Sequence, residues 1–351
     1  MKPARVAING FGRIGRLFFR SVFASNEADF DIVAINDLGD LENLAYLLRF
    51  DTVYGRWDKK VEVKDGNLVV GGKIVKVLQV KDPAQLPWKD LKIDIAVEAT
   101  GLFESYEKAG AHIAAGAKRV VITSPAKDPD GSASSPQSGT DGKTILMGVN
   151  EDEFKKCAIT SNGSCTTNAA SPVIQIMSEN PGIEKALLNT VHGYTATQNL
   201  VDGPTRGADF RRGRAAAQNI IPSTTGAVIA VTRAIPSLDG KFDGMAMRVP
   251  VPSGSVADIV FVAKRKVTTQ EINDIFRKAA AESRWKGILK VSDDQLVSSD
   301  ILGEPYGAIV DLNFTKVIDG NLVRVLSWYD NEAGYVATLI KHVRAVALLI
   351  A

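Results

Sequence analysis

Cysteine is almost absent from this chain of 351 residues, where only Cys157 and Cys165 occur. A single pair is no disulfide framework, and the scarcity fits a reducing compartment, so the expected location is cytoplasmic. An excess of one charge is also missing. Lys and Arg number 42 against 40 Asp and Glu, for a formal net charge of +2. That is too little for the basic field of a nucleic-acid or membrane-surface protein, so small molecules are the expected partners. No apolar run approaches the roughly 18 residues of a membrane span. The basic start Met1-Lys2-Pro3-Ala4-Arg5 lacks the apolar stretch of an export signal behind it. Neither export nor membrane insertion is expected. Histidine occurs three times, no ligand spacing suggests a metal, and no internal repeat of solenoid period is apparent. What is there is an ordinary globular composition, 45% hydrophobic and 23% charged. The length is enough for about two domains, each with its own core.

The two halves differ in pattern. In the first, short buried-strand runs at Arg5 to Asn9, Asp31 to Asn36, Ile93 to Ala99 and Arg119 to Thr123 alternate with helical spacing, as in Ile14, Leu17, Phe18 and Val22 and again from Tyr106 to Ala117. Such βαβ alternation predicts a parallel sheet covered by helices on both faces. In the second half, strands at Ala186 to Val191, Gly244 to Val251, Ser255 to Ala263, Ile309 to Phe314 and Leu322 to Trp328 ride on long connections. This predicts an α+β domain with a mixed, largely antiparallel sheet. A capping box at Thr268 and Glu271 opens a helix to about Glu282, and Glu332 to Leu349 is helical in pattern. Between Lys127 and Gly142, thirteen of sixteen residues are Gly, Pro, Ser, Thr or Asp, which predicts a solvated loop.

Gly10-Phe11-Gly12-Arg13-Ile14-Gly15 follows a predicted strand and opens a predicted helix. In that context the glycines allow a tight turn, close approach of a pyrophosphate, and close packing of helix on strand. The diphosphate would sit on the helix N-terminus. Asp37 ends the next strand, placed to accept hydrogen bonds from ribose hydroxyls and to repel a 2′-phosphate, so NAD is expected over NADP.

Ser161-Asn162-Gly163-Ser164-Cys165-Thr166-Thr167-Asn168 lies between a strand at Ala158 to Thr160 and a helical stretch reaching Met177. Cys165 is thereby expected in a helix first turn, where free N–H groups and the dipole favour a thiolate and an imidazolium would favour it further. Pro172 should bend that helix or limit its regularity. Cys157, among apolar neighbours, reads as core filler. His112 and His342 fall in helices and read as structural or solvated. His192 ends a strand in the polar tract His192-Gly193-Tyr194-Thr195-Ala196-Thr197-Gln198; spacing alone leaves open whether it meets Cys165.

These strings, with Gly244-Met245-Ala246-Met247-Arg248-Val249-Pro250 and Trp328-Tyr329-Asp330-Asn331-Glu332, resemble the glyceraldehyde-3-phosphate dehydrogenase family over nearly the whole chain. The resemblance implies a Rossmann dinucleotide-binding domain at 1–163, completed by a C-terminal helix at 332–351, and a catalytic domain at 164–331. It implies oxidation of glyceraldehyde 3-phosphate with NAD and inorganic phosphate to 1,3-bisphosphoglycerate, in glycolysis or gluconeogenesis. Cys165 would be the nucleophile that carries a thioester, with His192 as acid and base. Thr195 and Arg248 match residues that hold the C3 phosphate; Ser164, Thr166, Thr225 and Gly226 match those that receive the attacking phosphate. The cofactor set is Gly10, Gly12, Arg13, Ile14, Gly15, Asp37 and Thr123, with Asn331 on the nicotinamide carboxamide and Tyr335 beside it. The loop with Arg206, Arg211, Arg212 and Arg214 packs on a neighbouring subunit in the family, which implies a homotetramer, and Pro204 agrees with NAD-dependent members.

The chain departs from the family pattern in three places. Gly163 replaces the usual Ala, which loosens the backbone before Cys165. Ala169 replaces a frequent second cysteine. The Lys127 to Gly142 loop is longer than usual. Two other functions compete: erythrose-4-phosphate dehydrogenase, which alters the pattern kept at Tyr194-Thr195 and Thr225-Gly226, and a non-catalytic NAD- or RNA-binding regulator.

Overall fold

A computed structural model describes residues 2–25, 29–128, 142–205 and 208–350. The chain divides into two units, Met1–Gly163 with Leu339–Ala351, and Ser164–Thr338. The second division falls inside the last helix, not ahead of it. Most of the Lys127 to Gly142 loop, and Arg206, lie outside the described residues.

In the first unit the elements run β1 (Ala4–Asn9), α1 (Arg13–Ala24), β2 (Phe30–Asn36), α2 (Leu41–Arg49), β3 (Val61–Lys64), β4 (Asn67–Val70), β5 (Lys73–Leu78), β6 (Ile95–Glu98), α3 (Tyr106–Ala114), β7 (Arg119–Ile122), β8 (Gly142–Thr144) and β9 (Ile159–Ser161). They form one sheet in the order β3-β4-β5-β2-β1-β6-β7-β9-β8. From β5 to β8 every pairing is parallel. Parallel strands covered on both faces need apolar residues at nearly every position, and β6 is buried throughout. The β3-β4-β5 meander is antiparallel. Its turns are the pairs Asp65-Gly66 and Gly71-Gly72, all at positive φ, which is the local signature of a two-residue hairpin. Asp40 caps α2 by accepting from Asn43 N at 2.9 Å, and Ser105 caps α3 by accepting from Lys108 N at 3.1 Å.

The second unit contains α4 (Cys165–Glu179), β10 (Ile183–Gly193), β11 (Ile221–Thr224), α5 (Ala227–Ala234), β12 (Phe242–Val249), β13 (Ser255–Ala263), α6 (Thr269–Ala281), β14 (Leu289–Ser292), β15 (Ala308–Ile318), β16 (Leu322–Tyr329) and the start of α7 (Ala333–Leu348). The sheet order is β11-β12-β10-β13-β16-β15-β14. β12 on β10 and β14 on β15 are parallel, and the other pairings are antiparallel, so the sheet is mixed and largely antiparallel. β13 alternates buried and half-buried residues along its length, as expected of a strand with one packed face. Among the described residues, no helix is long and apolar enough to cross a membrane.

Two local expectations need correcting. Pro172 does not interrupt α4, which stays helical for 15 residues around it; proline removes one N–H donor but leaves the remaining bonds to carry the helix. The box at the start of α6 is half formed. Thr268 Oγ1 accepts from Glu271 N at 3.1 Å, but the Glu271 carboxylate pairs with Arg265 at 2.7 Å, because a guanidinium outcompetes a backbone N–H for a carboxylate.

Candidate active site

At the end of β1, Gly10 has φ +96°, and its N–H donates to Asn36 O at 2.8 Å. A Cβ there would lie 2.6 Å from Thr100 N, and a Cβ on Gly15 would lie 2.2 Å from Gly10 O. Strand end and helix start therefore touch through backbone alone. Gly15→Ala is expected to cost at least about 1–3 kcal/mol by overpacking, read as a lower denaturation midpoint.

Buried polar side chains hold this turn from behind. Asn36 Nδ2 donates to Asn9 Oδ1 at 2.7 Å, and Asn9 Nδ2 donates to Glu98 Oε2 at 2.6 Å. Trp88 Nε1 donates to His112 Nδ1 at 2.9 Å, so the ring's proton is on Nε2, which faces Glu98 Oε2 at 3.0 Å. His112 is thus structural and buried, not solvated. His342 is buried as well, with Nε2 at 2.7 Å from Thr160 Oγ1 and Nδ1 at 3.2 Å from Asn162 Oδ1, and burial pushes it down to about 3. Cys157 is 4% exposed, as core filler should be.

The residues of this loop fit a dinucleotide. Gly12 is the N-cap of α1, and a Cβ on it would meet nothing within 4 Å, so a diphosphate can reach the first-turn N–H groups of Arg13, Ile14 and Gly15. The Arg13 side chain itself is committed to Asp51 at 2.5 Å. Asp37 stands past the end of β2 with its carboxylate fixed by Phe11 N at 2.7 Å and Gly39 N at 2.8 Å. Those two bonds leave it further lone pairs for ribose hydroxyls. Thr123 donates from Oγ1 to Glu98 O at 3.0 Å beyond the end of β7.

In the second unit, Ser164 is the N-cap of α4 and Cys165 its first helical residue. The cap is reciprocal: Ser164 Oγ accepts from Thr167 N at 3.1 Å, and Thr167 Oγ1 accepts from Ser164 N at 3.0 Å. This fixes the half-buried Cys165 at the helix start. Its Sγ lies 3.2 Å from His192 Nε2, near the end of β10. β12 runs parallel beside β10 with Arg248 in register with His192. Arg248 Nη1 comes within 2.7 Å of His192 Nδ1 and donates to Gly193 O at 3.3 Å.

Those neighbours set the charge states. Burial, and then the Arg248 guanidinium, push His192 down to about 3. Burial pushes the Cys165 thiol up, against the pull of Arg248 and of hydrogen bonds from Thr166. The pair rests as thiol and neutral imidazole. Burial and then Arg248 disfavour an imidazolium at His192, so a charged ring does not offset the upward push on the thiol.

The other residues expected near the chemistry have the following partners. Thr195 Oγ1 lies 3.0 Å from Thr197 Oγ1, which accepts from Arg212 Nη1 at 3.2 Å. Arg212 Nη2 donates to Ser223 Oγ at 2.8 Å, so this arginine ties the Thr195 tract to β11. Arg211 and Arg214 pair with Asp209 and Asp202. Thr225 Oγ1 accepts from Ala227 N at 3.2 Å, and Gly226 is the N-cap of α5. Thr166 Oγ1 lies 2.8 Å from Tyr329 Oη. Asn331 Oδ1 accepts from Ser255 Oγ at 2.8 Å, Gly254 N at 3.1 Å and Ser253 Oγ at 3.3 Å. With the oxygen so engaged, its Nδ2 is the end available as a donor. Tyr335 is buried in α7.

Residues 4–106 match the glyceraldehyde 3-phosphate dehydrogenase NAD binding domain, and residues 164–331 match the C-terminal domain of the same family. A glyceraldehyde-3-phosphate dehydrogenase of Streptomyces coelicolor is 47% identical over 338 residues, covering 96% of both chains. The chain belongs to the glyceraldehyde-3-phosphate dehydrogenase family. Glyceraldehyde-3-phosphate dehydrogenase 2 of Bacillus subtilis is 46% identical over 346 residues and 97% of both chains. The Mycobacterium avium glyceraldehyde-3-phosphate dehydrogenase is 47% identical over 349 residues, covering 97% of this chain and 98% of its own. The protein is accordingly an NAD-dependent oxidoreductase with a Rossmann domain and a C-terminal catalytic domain.

Within the family the departures acquire physical content. Gly163 has φ +64°, a conformation that costs a non-glycine residue roughly 1–2 kcal/mol, so glycine here removes strain ahead of the Ser164 cap. Ala169 is fully buried in α4, where it packs as a small residue. Three side chains went unassigned in the sequence, Tyr329 and Thr190 in the hydroxyl contacts of Thr166 and Ser255 behind Asn331, while Arg212 was expected only in the loop that packs on a neighbouring subunit. Of these only Tyr329 lies in a family-specific string; the others carry no local mark.

Proposed function

We propose that this protein is a phosphorylating, NAD-dependent glyceraldehyde-3-phosphate dehydrogenase of glycolysis or gluconeogenesis. The 3.2 Å approach of Cys165 Sγ to His192 Nε2, with Arg248 in register beside it, is the observation that carries the reading. As Sγ bonds the aldehyde carbon, the thiol proton passes to His192 Nε2, which returns it to the forming alkoxide to give a thiohemiacetal. Bound NAD supplies the hydride acceptor. As the hydride leaves, His192 takes the hydroxyl proton and a thioester remains on Cys165. Inorganic phosphate then displaces Sγ, releasing 1,3-bisphosphoglycerate and a thiolate that recovers its proton from His192.

Arg248 and Thr195 would hold the C3 phosphate, while Ser164, Thr166, Thr225 and Gly226 receive the attacking one. A phosphate on Arg248 also offsets the charge that depresses His192, making it a better base when substrate is in place. Gly10, Gly12, Arg13, Ile14, Gly15, Asp37 and Thr123 form the cofactor set, in which Arg13 serves through its backbone. The Asn331 amide would donate to the nicotinamide carboxamide, with Tyr335 packed beside it. The domain reading is a cofactor domain at 1–163 with a C-terminal helix and a catalytic domain at 164–331. A cytoplasmic location is part of this reading, supported by the scarcity of cysteine. Exposed Leu200, Val201, Phe210 and Ile220 support self-association through their loop, with a homotetramer as the state. The pairing of Arg211 and Arg214 with acidic residues argues against a primary nucleic-acid role.

The direct test is NADH formation from glyceraldehyde 3-phosphate with and without inorganic phosphate. Turnover is expected to collapse when phosphate is omitted; equal rates would remove phosphorolysis, and a preference for erythrose 4-phosphate would favour that sister activity. Asp37→Ala should narrow the ratio of kcat/KM for NAD over NADP by about tenfold, one favourable carboxylate bond lost and one repulsion relieved.

A further inference from the structure

One buried hydroxyl at the start of β13 joins two parts of the second unit. In the sheet order β10-β13-β16, β13 lies between the strand that ends at His192-Gly193 and the strand that leads to Asn331. Ser255, its first residue, is 1% exposed and stands in register with Tyr329 on β16. Its Oγ accepts from Gly193 N at 3.1 Å on one side and lies 2.8 Å from Asn331 Oδ1 on the other. A hydroxyl has one proton to give, and Asn331 is the partner that can take it.

The other donors to Asn331 are unequal. Gly254 N approaches the same oxygen at 3.1 Å, and because a backbone N–H can only donate, the atom facing it is Oδ1 and not Nδ2. Ser253 Oγ lies 3.0 Å from Asp330 Oδ1 and 3.3 Å from Asn331 Oδ1. Its single proton favours the carboxylate, the nearer and charged acceptor. Asp330 also accepts from Glu332 N at 2.9 Å, Ala333 N at 3.1 Å and Gly303 N at 2.8 Å, so the main chain around Asn331 is pinned. What remains to be set is the rotation of the amide, and Ser255 makes the shortest contact that sets it.

We propose that Ser255 is a positioning residue for cofactor binding, whose hydroxyl holds the Asn331 amide with its oxygen toward β13 and its Nδ2 as the donor to a nicotinamide carboxamide. Without that bond the amide keeps Gly254 N as its closest donor, and the turned orientation, which offers an oxygen where an N–H is needed, gains population. Loss of the hydroxyl also leaves Gly193 N without its acceptor. That second cost falls on the fold and not on the nicotinamide. The inference rests on Asn331 being the carboxamide donor proposed above.

The experiment is calorimetric titration of the full chain with NAD and, separately, with ADP-ribose, which lacks the nicotinamide. In Ser255→Ala the dissociation constant for NAD is expected to rise about fivefold, the worth of one buried hydrogen bond, with that for ADP-ribose unchanged. A serine that only supported the fold would weaken both ligands alike or neither, so the ratio of the two constants is the readout. Asn331→Ala should weaken NAD selectively as well, and adding Ser255→Ala to it should move the ratio no further, since the hydroxyl acts through the amide. Ser255→Cys, of similar size with a weaker donor, serves in its place should the alanine variant fail to fold, and a selective loss in the same direction is expected. An unchanged ratio in the alanine variant, or in the cysteine variant should only that one fold, overturns the positioning role. So does a shift in the ratio that persists in full beside Asn331→Ala. An Asn331→Ala variant that keeps the wild-type ratio would instead remove Asn331 as the carboxamide donor.

Discussion

Cys165→Ser is expected to lower phosphate-dependent NADH formation by at least roughly a thousandfold, with NAD binding retained. A serine hydroxyl ionises far less readily than a thiol, and the base beside it, His192, is weak. His192 is pushed down to about 3 by burial and by Arg248, so the neutral imidazole cannot generate an alkoxide. Even where it polarises the hydroxyl, an ester in place of a thioester is a poorer acyl donor to phosphate. Steady-state NADH production and cofactor titration on one preparation separate the two effects. Retained aldehyde oxidation would dismiss Cys165 as the nucleophile.

His192→Asn is expected to lower kcat by about a hundred- to ten-thousandfold, the usual worth of a positioned acid and base. Asparagine of similar reach can still donate to a thiolate but cannot carry a proton between sulfur and alkoxide. The pH profile gives a second readout. With the wild-type imidazole neutral down to about 3 and able to take the thiol proton during attack, activity should change little with pH above that range. Without His192 the reaction needs the free thiolate, which the raised thiol gives only above its ordinary range, so the variant's activity should rise with pH. A residue that only supported the fold would lower activity at every pH alike.

Much of this site is written locally. β1, the Gly10 turn and α1 fall within a few consecutive residues, so the fingerprint can be read as strand, turn and helix without knowing the rest of the chain. Ser164 and Cys165 are likewise local, since a cap and its first turn depend on three or four neighbours. The β3-β5 meander was not among the strands expected from the sequence, although the Asp65-Gly66 and Gly71-Gly72 pairs mark its turns, because strand alternation there is weak beside the long apolar runs. Pro172 and Glu271 mark the reverse case. Each obeys a local rule that a competing partner or the remaining helical bonds override.

The sequence by itself determined that there are two domains, that one carries a dinucleotide loop, that Cys165 opens a helix, and that this chemistry belongs to a known family. The tertiary structure decided which side chains meet Cys165. His192 is 27 positions away and Tyr329 lies 163 positions from Thr166. Those pairings follow from the order β12-β10-β13-β16, a long-range arrangement that no spacing encodes. It also decided the charge states. A helix first turn alone argues for a thiolate beside an imidazolium, whereas burial and the adjacent Arg248 leave a thiol beside a neutral ring, because the cost of burying charge depends on every neighbour the fold brings in.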